Sequence, residues 1–416
     1  MKKKISVLVL SKYMICPPIS GGAKRMLFAP MNMSEEDGVE FTYMYISYSP
    51  EEKAHHQNYL SQFDLIKYNQ ATVATPKAMF DISKKPANFS DETWYALNRD
   101  FKDDVLKKVK SEHFDIIQIE HSQVAWIVPY LRVASPESKI ILDHHNLEWL
   151  VFKRQMEYAP EHEKAALMHR YRTLKDWEDM VLDWFDAVFC ISPVEKEIIE
   201  PTTTAAVYYA PTGAGINDDE YLPQETAAKK KYDLVFIGTM EWFPNAQAMR
   251  WFLEKVMPII LEKRPNTKLE LIGSGVPDQD MLALTKKFRG ITFWGAIQDE
   301  KPFLHGSKVF ISPIWIGAGV RLKNPTAWAA KIPVVATTLS VEGLQYTDGQ
   351  DLLIGDTPEA FAEAVLRLLE SEELRNEIAE NAYKTYKQNY STENILGIWK
   401  RLSWEVATGG DATESC

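Results

Sequence analysis

The feature that most constrains this chain is a repeated alternation of short apolar, β-branched runs with longer amphipathic stretches. Lys4 to Leu10 (KISVLVL), Val39 to Ser47, Phe114 to Glu120 (FDIIQIE), Lys139 to Leu142, Asp186 to Ser192 and Val207 to Ala210 read as strands. Helical patterns lie between them, over Asp91 to Ser111 and Glu161 to Phe185, and a first helix begins at Ala23 to Phe28, where Pro30 is expected to kink or end it. A polar run from Thr212 to Lys231 interrupts the alternation. It then resumes with strands at Asp233 to Ile237, Lys268 to Ile272, Ile291 to Trp294, Lys308 to Ser312, Val334 to Ala336 and Asp351 to Ile354. Continuous apolar strands are buried on both faces, and helical crossovers pair them in parallel. The pattern implies two doubly wound α/β domains. The boundaries are 1–211, a linker at 212–231, a second domain at 232–390, a last helix at 391–407 and a polar tail at 408–416.

Bulk properties narrow the class. A length of 416 residues suits two or three domains. A net charge of -11 argues against a general nucleic-acid binder, which needs a basic face. Cys16, Cys190 and Cys416 are odd in number and lack zinc-site spacing, which suggests a reduced, cytoplasmic protein. The apolar run Ile5 to Leu10 is too short for a signal peptide, and no stretch approaches the ~18 apolar residues of a membrane span.

The stretch from Ser312 to Leu344, SPIWIGAGVRLKNPTAWAAKIPVVATTLSVEGL, carries the clearest chemistry. Gly317-Ala318-Gly319 is a small-residue loop that lets a ligand approach the backbone. Arg321 and Lys323 supply two cations, and Asn324-Pro325 reads as the N-cap and first residue of a helix to Lys331. Loop, cations and helix start together suit a diphosphate. A second glycine turn, Gly21-Gly22, follows the first strand, and His121 ends the strand Phe114 to Glu120. In open parallel sheets, ligands collect at that edge. Asp143-His144-His145-Asn146-Leu147-Glu148 could suggest a metal. However, neighbouring strand residues point to opposite faces, so His144 and His145 are poor co-ligands and no metal is expected. Asp278-Gln279-Asp280 precedes a helix and reads as a cap.

Several of these motifs resemble one family. GAGVRLK with the following helix and PVVATTLSVEGL is similar to the nucleotide-binding segment of retaining GT-B glycosyltransferases of the large bacterial sugar-nucleotide family. PPISGGAKR and GTMEWFPN resemble the openings of its two domains. The resemblance implies a GT-B fold, two Rossmann-like domains facing a cleft. It also implies a nucleotide diphosphate sugar as substrate, with no cofactor. Gly21, Gly22, Gly238, Gly317, Gly319, Arg321, Lys323, Asn324, Thr326 and Glu342 would then contact the donor, and His121 the transferred sugar. The sequence departs from the family where Thr326 replaces a ribose-binding Glu, and where Lys331 replaces the usual Gly.

The expected function is transfer of a sugar, with retention and without metal, to an unidentified glycan, lipid, protein or small-molecule acceptor. A non-catalytic relative that binds a partner or sugar is the alternative that Thr326, Ala318 and Lys331 motivate. A GT-B sugar-nucleotide epimerase is a third.

Overall fold

A computed structural model describes residues 4–18, 21–75, 77–212, 221–222, 230–275 and 279–410. The linker from 213 onward lies largely outside the described residues, as do Ile19-Ser20 of the first glycine turn, Asp278 of the acidic triplet and the tail from 411. The chain forms two compact units, Met1–Thr212 with Ile395–Cys416, and Gly213–Asn394.

The first unit holds seven parallel strands: β1 (Ile5–Ser11), β2 (Val39–Ser47), β3 (Ile66–Val73), β4 (Ile116–Glu120), β5 (Lys139–His144), β6 (Ala187–Cys190) and β7 (Ala206–Tyr209). Their order is β3-β2-β1-β4-β5-β6-β7, so the winding direction reverses between β1 and β4. The second unit has six: β8 (Tyr232–Ile237), β9 (Leu269–Ile272), β10 (Ile291–Gly295), β11 (Ser307–Ser312), β12 (Val334–Ala336) and β13 (Leu353–Ile354). Their order, β10-β9-β8-β11-β12-β13, reverses between β8 and β11. Each reversal opens a crevice at the carboxyl ends of the two diverging strands, where such sheets bind ligands.

The cores follow from the apolar runs. In the second unit, Leu234, Phe236, Val309 and Ile311 meet Phe252, Val256 and Phe361 of the covering helices. The helix Thr392–Thr408 lays Ile395, Trp399, Leu402 and Val406 into the core of the first unit, beside Val7, Tyr43 and Phe189. Trp399 donates its indole N–H to the Pro211 carbonyl at 3.0 Å.

Several local expectations change. Pro30 neither ends nor breaks the first helix, which runs Gly21–Asn32. Proline removes the bond to the carbonyl four residues earlier. That carbonyl, Met26 O, accepts instead from the Tyr43 hydroxyl at 2.6 Å. The pattern over 91–111 divides into helices Asp91–Ala96 and Arg99–Ser111, because the Asn98 side chain caps the second by accepting from Phe101 N–H at 2.9 Å. Glu148 belongs to a helix, Glu148–Tyr158, that precedes the long helix Glu161–Val181.

Candidate functional site

In the second unit the crevice edge is built around Gly238, at the end of β8. A Cβ placed there would lie 2.8 Å from Asn245 Nδ2 and 2.9 Å from Lys323 Nζ, so only glycine fits without displacing them. Asn245 sits in the first turn of the helix Phe243–Trp251. Its amide donates to the Thr239 carbonyl at 2.9 Å, which fixes the amide oxygen as acceptor for Lys323 Nζ at 2.8 Å. The ammonium also lies 4.2 Å from the centre of the Phe236 ring. Burial, then the neighbouring Arg321 charge, pushes the Lys323 amine down to about 7.

The loop before Lys323 is held by Arg321. Its Nη1 donates to the Gly319 carbonyl at 2.6 Å and lies 3.6 Å from Glu342 Oε2. Gly317 passes beneath the guanidinium, where a Cβ would stand 3.3 Å from Nη2. Gly319 has φ of 69°, a left-handed conformation suited to glycine.

Asn324 is not the N-cap. The helix runs Lys323–Ala329 with Leu322 at its cap, and Asn324 lies in its first turn, fully buried. Its amide donates to the Ser340 carbonyl at 2.6 Å, while its side-chain oxygen is buried with no hydrogen-bond partner among the described residues. This inward bond explains the displaced helix start. The Thr326 hydroxyl donates to the Leu322 carbonyl at 2.9 Å, back along its own helix. Lys331 has φ of 51°, which accounts for the glycine the family resemblance leads one to expect there.

In the first unit, the crevice edge is made of titratable groups. His121 follows β4 with φ of 69°, a strained conformation for a non-glycine residue. Its Nε2 is 2.9 Å from the Tyr13 hydroxyl, and its Nδ1 is 3.6 Å from Glu148 Oε1. Gln123 donates to Glu148 Oε2 at 2.6 Å and accepts from Lys12 Nζ at 3.1 Å. Burial, with lesser repulsion from His145, Lys12, His144 and Arg25, holds His121 well below the ordinary imidazole range, so the ring is neutral. Burial also raises the Tyr13 phenol, which therefore keeps its proton, and its hydroxyl shares the 2.9 Å bond with His121 Nε2.

Behind His121 lies His145, its ring centre 3.9 Å away. His145 Nε2 is 2.6 Å from Glu120 Oε2, and Gln118 donates to Glu120 Oε1 at 2.7 Å. Burial raises Glu120 to about 7 and lowers His145 to about 3. Arg25 grips Asp143 through Nε, at 2.9 and 3.1 Å from its two oxygens, and through Nη2. Its Nη1 donates to Ala210 O and Thr212 Oγ1, each at 2.7 Å. Glu120, Asp143 and His145 each offer one metal-ligand atom within 4.8 Å of the others. The Glu120–His145 bond engages Glu120 Oε2 and His145 Nε2, and Arg25 engages both Asp143 oxygens, whereas His145 Nδ1 is buried with no hydrogen-bond partner among the described residues. His144 takes the other side, 3.4 Å from Glu178. Burial alone would lower His144, but the Glu178, Glu195 and Glu148 charges outweigh it and raise the ring.

Gly22 meets this cluster, since a Cβ there would lie 3.3 Å from both His145 Nδ1 and Tyr13 Oη. Gly21 opens the same helix and is exposed. Of the residues singled out in sequence, Gly238, Gly317, Gly319, Arg321, Lys323 and Glu342 therefore share the second unit's edge, and Gly21, Gly22 and His121 the first unit's. Asn324 and Thr326 bond inward. Sequence reasoning assigned no role to Asn245, Tyr13, Arg25 or Glu120. Asn245 and Arg25 close the motifs GTMEWFPN and PPISGGAKR. Tyr13 and Glu120 carry no local signal.

Comparison with known proteins places this geometry. Paired parallel units of this order, over nearly the whole chain, define the GT-B fold class. Sucrose-phosphate synthase from Thermosynechococcus elongatus matches with a TM-score of 0.70 and 16% identity, over 98% of this chain and 100% of that one. A glycosyltransferase from Rickettsia africae matches at 0.68 and 15%, over 98% and 100%. HepE of Anabaena, in a structure with UDP, matches at 0.67 and 11%, over 96% and 100%. More particularly, residues 231–371 match the family model described as glycosyl transferases group 1. An uncharacterized 44.6 kDa protein in the cps region of Klebsiella pneumoniae is 28% identical over 177 residues, 40% of this chain. The chain spans 46% of that relative's length. Among the described residues no helix is long and apolar enough to cross a membrane.

Proposed function

We propose that the protein transfers a sugar from a nucleotide diphosphate donor to an acceptor hydroxyl. The observation that carries this reading is the second unit's edge. An ammonium is held over a side-chain-free turn by Asn245, and a guanidinium follows from the same loop. As the glycosidic bond breaks, negative charge builds on the leaving diphosphate, and fixed cations lower the barrier by stabilising it. The family match over 231–371 covers these residues, and a fold neighbour was crystallised with UDP. Arg321 and Lys323 supply the positive field, so the reaction is proposed to run without a metal and to be unaffected by a chelator. Retention of anomeric configuration follows from the family resemblance, and NMR of the product's anomeric proton tests it. His121, neutral and bonded by Tyr13, would offer a hydrogen bond to the transferred sugar rather than act as a base.

Calorimetry with a panel of nucleoside diphosphates tests the donor site. Arg321→Ala should weaken binding by ~1.5–3 kcal/mol, the scale of a charged hydrogen bond. An unchanged dissociation constant would remove Arg321 from the site.

The Thr326 hydroxyl supports a second reading. Engaged with the Leu322 carbonyl, it offers no carboxylate to a ribose. A binding protein that does not turn over fits this feature. Release of nucleoside diphosphate from a nucleotide sugar, with or without acceptor, would end that reading.

A further inference from the structure

The buried pair His144 and Glu178 lies outside every role assigned so far. It lines a cavity of the first unit between the end of β5 and the helices Glu161–Val181 and Pro193–Ile199. Glu178 Oε1 accepts from the Ser122 hydroxyl at 3.0 Å, and Ser122 is held in turn by the Trp177 indole N–H, 2.9 Å from its carbonyl. That anchor leaves Glu178 Oε2 3.4 Å from His144 Nε2, longer than a charged hydrogen bond of about 2.7–2.9 Å. Oε2 and both ring nitrogens of His144 are buried with no hydrogen-bond partner among the described residues. Interior polar groups are rarely left so, because an unmade hydrogen bond there is costly. The rest of the lining is of another kind. Leu147, Trp149, Leu182 and Ile199 are buried and supply apolar walls. The Lys175–Asp179 ion pair is partly exposed and stands at the opening. About 60 Å³ is open inside. One water needs ~10–15 Å³ of such space, and a cavity that admits benzene is ~150 Å³. The space therefore suits a molecule of a few heavy atoms. A buried water also needs about two to four polar partners. The apolar walls offer none, so water suits only the polar end.

We propose that this cavity is a binding site for a small uncharged alcohol, with the hydroxyl between His144 and Glu178 and the carbon chain along Leu147, Trp149, Leu182 and Ile199. The inference stands apart from the transferase reading. The head group follows from which donors and acceptors are left. An imidazole carries at least one N–H whether neutral or charged, and Glu178 Oε2 keeps lone pairs that accept. A hydroxyl meets both, since it donates one hydrogen and accepts through its own lone pairs. An ammonium accepts nothing, so it would leave the ring N–H unpaired. A carboxylate accepts from the ring but would face Glu178 and Asp179. Either ion would also give up its hydration on entry. The match with a hydroxyl holds in either protonation state of the pair.

Propan-1-ol, propylammonium and propionate share one tail and differ in the head, so they test the site on the full chain. NMR of protein labelled with ¹⁵N in histidine and tryptophan follows the His144 ring and the Trp149 indole. Propan-1-ol should shift both signals saturably. Propylammonium and propionate should bind at least about tenfold more weakly, the loss of one hydrogen bond. The double variant His144→Leu with Glu178→Leu removes both polar partners together and leaves neither charge uncompensated. It should bind propan-1-ol about tenfold more weakly than the unaltered chain. His144 and Trp149 signals that do not respond to propan-1-ol would leave water alone in the cavity and overturn the inference. So would equal affinity for the probes, a result that needs no variant. Nucleoside diphosphate binding, measured separately, bears on the transferase reading alone, because its site lies in the other unit.

Discussion

The crevice edges of the two units make an instructive pair. Both sit where a parallel sheet reverses its winding, between β1 and β4 in one and β8 and β11 in the other. Both have a glycine turn against which a Cβ would press on a functional side chain, at Gly22 and at Gly238. Their chemistry differs. The first unit buries acids and imidazoles against one another around the Arg25–Asp143 ion pair. The second presents two cations bound mainly by backbone and amide oxygens. One backbone plan thus serves a site that pairs its buried charges within the protein and a site that presents charge.

The sharpest way to break this contrast is to remove the ion pair that organises the first edge. Arg25→Met leaves Asp143 buried and uncompensated, and should destabilise the first unit by about 3–5 kcal/mol. Hydrogen exchange should show the loss in β1, β4 and β5, with β8 to β12 unchanged. Adding Asp143→Leu should recover much of it, because an apolar pair can replace a buried ion pair.

Gly238→Ala probes the other edge. The new methyl would fall 2.9 Å from Lys323 Nζ and displace it from Asn245. Nucleoside diphosphate affinity should fall by about tenfold to a hundredfold, the loss of one charged hydrogen bond, while the melting temperature of the first unit stays in place.

A smaller effect distinguishes the edges by pH. The folded Lys323 amine, lowered to about 7, is charged below that pH and neutral above it. An anion binds the charged form, so affinity should rise as pH falls through about 7 and then level off. Above it, affinity should drop by about tenfold per pH unit, one proton being taken up on binding. Lys323→Arg keeps its charge and should flatten the profile. A flat wild-type profile would show that Lys323 is already charged.

The smallest change is at Lys331, whose φ of 51° burdens a side chain with left-handed backbone. Lys331→Gly should stabilise the second unit by about 0.5–1 kcal/mol, after allowing for glycine's greater freedom when unfolded. Its exposed bridge to Glu380 contributes little against this.

The fold was legible because apolar strands and amphipathic helices follow different periods, and that signal survives in a single sequence. It implied two doubly wound domains, whereas the strand order itself, with β1 beside β4 and β8 beside β11, is set by the three-dimensional pairing. Local punctuation was less reliable. Pro30 reads as a breaker, and only Tyr43, distant in sequence, supplies the replacement donor. Asn324 reads as a cap, but a buried carbonyl sixteen residues on claims its amide. The second edge was visible because loop, cations and helix start are contiguous in sequence. The first was not, because Tyr13 and Arg25 after β1, Glu120 at the end of β4 and His145 just after β5 meet only when these strands align.

The helix Thr392–Thr408 has a consequence for how the protein is made. Residues up to Thr212 leave the ribosome with an apolar groove into which the later helix lays Ile395, Trp399, Leu402 and Val406. The whole second unit is synthesised in between, so it can close on itself while its predecessor still waits for a lid. The nascent first unit is therefore the stage at which a chaperone would find greasy surface to hold, and a chain stopped near residue 390 would keep that surface permanently.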